Sequence, residues 1–118
     1  MKIRVHNRTR DVVVASAADV ADSSQTRRDG LLKRSGLDPG EGLWIVPCEA
    51  IHCFFMKFTI DVLFLSKTKK VLKAKPAVKP WRIAACFKAH SVLELPEGQI
   101  ASTGTRAGDQ LEFEKLPA

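Results

Sequence analysis

The clearest periodicity in the chain runs through residues 51–65, where Phe54, Met56, Phe58, Ile60, Val62 and Phe64 take the even positions and Lys57, Thr59 and Asp61 fall between them. Alternation with period two is the signature of a strand, and this is the main buried β segment that the sequence predicts. Fifteen residues exceed the usual strand length, so a bend or bulge is expected near residues 57–59. Shorter apolar or alternating runs predict strands at residues 2–5, 11–15, 43–46, 71–75, 82–87, 91–95 and 110–114, with Val20 opening another. Turn-forming residues separate them at 6–10, 66–70, 76–80, 96–98 and 104–108. One helix is predicted, capped by Asp22 or Ser23 and running to Arg34, where Gly36 and Pro39 stop it; its apolar face is short and Gly30 weakens it. Many short strands and one weak helix imply a mainly β fold. We expect a compact barrel or sandwich of about seven to nine short strands with one short helix near residues 22–34.

The length of 118 residues suits a single domain over 1–118. By area scaling such a chain should expose roughly 6,300 Å² when folded, against about 19,000 Å² when extended, so it can bury a real core. A composition of 45% hydrophobic and 27% charged residues excludes a disordered polymer. His52, Lys57 and Asp61 interrupt the longest apolar run, and the first residues lack the apolar stretch of a signal peptide. No membrane insertion and a cytoplasmic location are therefore expected. Three cysteines, an odd number, agree with free thiols in a reducing compartment better than with a disulfide framework.

Several stretches together resemble a known family. They are Gly30-Leu31-Leu32, the run from Gly42 to Cys48 (Gly-Leu-Trp-Ile-Val-Pro-Cys), the long segment 51–65, Val92-Leu93-Glu94-Leu95-Pro96-Glu97-Gly98, and Gly108-Asp109. The most specific piece is 55–64, an aromatic-Met-Lys core followed by a hydrophobic-Asp-hydrophobic strand. On these residues the chain is similar to the domain of unknown function 192 family over nearly its whole length. Phe58 stands where many members have Asn, and Cys53 where related sequences often have Thr, so a role needing that amide or hydroxyl does not transfer. The resemblance implies a compact β-rich fold and brings with it no reaction, ligand or catalytic residue.

Candidate chemistry falls into three groups. Lys57 and Asp61 are charges embedded in the most apolar part of the chain, and each needs solvent, a partner or a ligand. With His52, Phe55, Met56 and Trp81 they form a candidate pocket in which aromatic and Met side chains bind an apolar group and the charges orient it; the bland alternative is an outward face. Second, eight cations and no acid lie between Asp61 and Glu94, although the whole chain carries only +6. On an extended strand Lys67, Lys69, Lys73, Lys75 and Lys79 would project to one side, a ladder that with Arg82 could follow phosphates while Trp81 stacks. Lysines also protect exposed sheet edges. Third, Cys48 and His52, with Cys53 nearby, and Cys86 with His90, raise the possibilities of a zinc site or a Cys48-His52-Asp61 triad. Residues four apart on a strand lie about 13 Å apart, which suits neither. No metal and no cofactor are expected, and the thiols read as small hydrophobes. Glu94 is expected to be structural, with a link to Arg82 or Lys57.

The favoured expectation is a non-enzymatic ligand-binding or accessory module. A nucleic-acid or anionic-polymer binder comes second, and a small thiol enzyme or hydrolase third.

Overall fold

A computed structural model describes residues 1–54 and 56–117. Among them lie nine strands and two short helices: β1 (Lys2–Asn7), β2 (Val12–Ala21), α1 (Ser24–Asp29), β3 (Glu41–Ile45), β4 (Ala50–His52), β5 (Ile60–Leu65), β6 (Val71–Val78), β7 (Ile83–Ala85), β8 (Ser91–Pro96), α2 (Gln99–Thr103) and β9 (Leu111–Lys115). Seven strands form one sheet in the order β6-β5-β8-β3-β2-β1-β9, and β4 pairs with β7 separately. All pairings are antiparallel except β2 with β3, whose connection carries α1, as a parallel crossover requires. The large sheet curls until its edges nearly meet, because Lys70 beside β6 bridges to Gln110 beside β9. The result is a half-barrel.

Two cores follow from the curl. On the concave side Val5, Val14, Leu63, Leu93 and Leu111 meet Val71, drawn from both edges of the sheet. α2 packs against β2 and β6 across this side and adds Ile100. On the convex side Leu43, Ile45, Ile60, Val62, Phe64 and Val92 are covered by Leu31, Ile51, Met56 and Ala84 from the α1 region and the two-stranded sheet. β5 is therefore buried on both faces, even positions against one core and odd positions against the other. The chain exposes 6583 Å², close to the area its mass implies. No helix among the described residues is long and apolar enough to cross a membrane.

Several boundaries differ from the sequence reading. Residues 51–65 are not one strand: β4 and β5 belong to different sheets, separated by residues 53–59. The predicted break is there but wider, because Cys53 donates its N–H to Arg82 O (2.8 Å) and accepts from Trp81 N (2.7 Å), which turns the chain out of the sheet. Met56 still reaches the convex core, and Phe58 packs against it. The helix ends at Asp29 rather than Arg34, since Gly30 caps it at φ 49° in the left-handed half of the map. Val20 belongs to β2 and opens no new strand. β6 continues through Pro76, tolerable because β6 is an edge. α2, unforeseen, spans only five residues between Gly98 and Gly104, too few to show a helical period.

Candidate functional site

The convex layer leaves a cleft of about 330 Å³ between α1 with its following turn, the end of β3, and β4. Ser23 starts α1 through a capping box in which its hydroxyl accepts from Thr26 N (3.1 Å) while Thr26 Oγ1 accepts from Ser23 N (3.0 Å). Gly30 then turns the chain and drops Leu31 into the convex core. α1 buries none of its own residues, so Arg27, Arg28 and Asp29 stand on the solvent side of the cleft. Leu31, Leu32, Ile45, Ile51 and Met56 make its walls apolar.

The floor carries Glu94. It sits on β8 between Leu43 of β3 and Val62 of β5, its direct cross-strand neighbours, and is only 4% exposed. Its Oε1 has no hydrogen-bond partner among the described residues. A carboxylate here has lost its water without gaining a donor, so burial pushes its pKa from 4.5 up to about 7. The neighbouring thiols respond to the same environment. Burial, then the charge of Glu94, lifts Cys53 to about 11. Burial raises Cys48 as well, although its Sγ donates to Ala50 O at 3.2 Å.

Of the residues singled out in the sequence, Cys48, His52, Met56 and Glu94 line the cleft. Lys57 is exposed and outside it. Asp61 lies on the other face of β5, fully buried, with Oδ1 accepting from Ala77 N (2.9 Å) and Oδ2 from Ile100 N (2.8 Å). It satisfies the start of α2 and a left-handed residue of β6, Ala77 at φ 53°. The expected convergence of His52, Lys57 and Asp61 is thus not formed, because the turn after β4 carries Lys57 outward while β5 points Asp61 to the concave side. Trp81 stacks on Phe54 with ring centroids 5.8 Å apart, and Phe54 on His52 at 4.9 Å, on the exposed side of the two-stranded sheet. Phe55 lies outside the described residues.

The lysines do not form a one-sided ladder. Lys67 and Lys69 fall in the turn before β6, and the Lys69 Nζ lies 5.3 Å from the Trp44 ring, which packs against the concave core. Lys73 instead reaches the convex side, 5.8 Å from Phe64 and donating to Ala85 O at 3.0 Å. Lys75 and Lys79 are exposed, as is Arg82. A register shift between Phe64 and Leu65, with Lys69 at φ 67°, breaks the alternation that a single face requires.

Among the described residues no three His, Cys, Asp or Glu side chains come close enough to share a metal ion. Burial raises the pKa of Cys48 and of Cys53, the reverse of what a nucleophile needs. Asp61, on the far side of the sheet, cannot orient His52. Glu94 was the residue sequence reasoning undervalued. Its signal was a lone carboxylate inside Val92-Leu93-Glu94-Leu95, and the link foreseen to Arg82 or Lys57 does not form.

The sequence model of the domain of unknown function 192 family, described as Uncharacterized ACR, matches residues 5–113. The chain belongs to this family. Relatives in it include a UPF0127 protein of Pyrococcus abyssi, 33% identical over 91% of this chain and 94% of the relative, and one of Thermococcus sibiricus, 31% identical over 92% and 73%. Among solved structures, a candidate transcription regulator of Sinorhizobium meliloti 1021 superposes with a TM-score of 0.83 at 20% identity, covering 95% of this chain and 92% of that one. A protein of unknown function from Novosphingobium aromaticivorans gives 0.78 at 22% identity, covering 95% and 84%. These two likenesses establish that the family's half-barrel is shared and say nothing further of its chemistry.

Proposed function

We propose that this family member is a ligand-binding module whose site is the cleft between α1, β3 and β4, with His52 and Met56 in its wall. The observation that carries the reading is Glu94. A carboxyl group left without a donor in an apolar setting is costly, and proteins keep such groups where a ligand supplies the missing bond. The cleft combines apolar walls with charged groups at its mouth and Glu94 at its floor, and its volume is at the small end of the range for small-molecule sites. Ligand-observed NMR against a library of small polar molecules tests it, with Leu32→Trp filling the half-buried rim. Ligands should bind the native chain and lose binding to the filled variant. Hits that bind both equally, or none at all, would sink the reading.

A second reading is favoured by the outer face of the two-stranded sheet. There Trp81 is 55% and Ile83 66% exposed, the rings of His52, Phe54 and Trp81 form a row, and Lys79 and Arg82 flank Trp81 in the chain. Aromatic faces beside cations suit single-stranded nucleic acid, since stacking contributes roughly 1–3 kcal/mol per base and the phosphates meet the cations. Affinity for an oligonucleotide should then fall steeply with salt and drop on Trp81→Ala. Salt-independent binding removes this reading.

A further inference from the structure

We propose that the cleft takes a small bipolar molecule, with a protonated amine seated on the Glu94 carboxylate, an apolar stem along Leu31, Ile45 and Met56, and an acidic group facing Arg28 at the mouth. The inference rests on the cleft being the binding site and adds the class of ligand. At the floor Glu94 Oε1 lacks a donor, and the residues beside it, Leu43 and Val62 across the strands, cannot supply one. Glu94 lines the cleft, and a ligand ammonium seated there meets its carboxylate with a charge-assisted bond. At the mouth the two guanidinium groups are not equivalent. Arg27 is occupied, donating from Nε to Ser23 O (3.2 Å) and from Nη1 to Pro47 O (3.3 Å). Arg28 is exposed and forms no salt bridge among the described residues, Asp29 beside it included. The positive mouth and the buried acid are thus opposite in sign and separated by an apolar wall. A plain hydrocarbon would leave both ends unmet, and an anion with its acid at Arg28 would leave the buried Glu94 against an apolar stem, still without a donor.

Calorimetric titration with three probes tests the class: 6-aminohexanoate, hexylamine and hexanoate, each against the native chain, Glu94→Gln and Arg28→Ala at pH 8. The bipolar probe should bind most tightly. Hexylamine should bind several-fold more weakly, and hexanoate should not bind. Glu94→Gln should weaken both amines by at least tenfold, as expected on removing one partner of a desolvated charge pair. Arg28→Ala should weaken the bipolar probe and leave hexylamine unchanged. Hexanoate binding as well as hexylamine, amine binding that survives Glu94→Gln, or no binding by any probe would each overturn the assignment. The cleft itself is judged separately: if the Leu32→Trp chain still loses neutral hits from the library, the site stands while its ligand class falls.

Discussion

Glu94 and Asp61 show how two carboxylates in one apolar region reach opposite roles. Each is buried in a strand, but Asp61 receives two backbone N–H groups and Glu94 Oε1 receives none. The Glu94 carboxyl titrates near 7 in the fold and near 4.5 when unfolded, so below pH 4.5 both states are protonated and its neutral form is accommodated. As pH rises from 4.5 to 7, the unfolded chain gives up the proton first, and stability falls by on the order of 3 kcal/mol. Urea denaturation across this window should show the decline, and Glu94→Gln should abolish it; an unchanged slope in the variant would remove Glu94 as its source. Asp61→Ala leaves the Ala77 and Ile100 N–H groups without their acceptor, and should cost on the order of 3–5 kcal/mol in the same measurement.

At the scale of elements, the weak members carry the candidate site. α1 has six residues and buries none, so its stability rests on its capping box and on the Gly30 turn. Ser23→Ala should cost about 1 kcal/mol and raise amide exchange chiefly in α1, with the β5 and β8 amides unaffected. The sequence leaves the cap of α1 between Asp22 and Ser23, and the structure decides for Ser23; the early end of α1 is not legible, because nothing local says whether Gly30 interrupts a helix or closes it. Similarly, the alternation through 51–65 identified apolar residues correctly but could not assign them to one strand. Met56 and Phe58 serve the convex layer from a turn, held there by the backbone bonds between Cys53 and residues 81 and 82, while Phe54 turns out to the exposed side of the two-stranded sheet. Period two measures which residues are apolar in turn, not which sheet they join.

Over the whole molecule, the ends are tied by a polar cluster. Asp109, nearly buried, accepts from Arg10 Nε (2.7 Å), Asn7 Nδ2 (3.0 Å) and Arg106 N (3.1 Å). Burial alone would raise its pKa, but these bonds and the Arg10 charge outweigh that and hold it below the usual carboxylate value. A lowered pKa means stability that is present above about pH 4 and lost as pH falls through the folded value. Asp109→Asn should therefore lower stability at pH 7 by roughly 1–3 kcal/mol and flatten the acid limb of the unfolding curve, read by circular dichroism. The sequence by itself determined the strand-rich class, most strand positions, the start of α1 to within one residue and the family, because these depend on local alternation, turn chemistry and motif. Only the tertiary structure decided that β4 and β5 part company, that the lysines divide between two faces, and that Asp61 is satisfied while Glu94 is not. Whether a buried charge finds a donor depends on residues far away in the chain, such as Ala77 and Ile100 for Asp61, and a curled sheet with a core on each side is what brings those residues close or keeps them away.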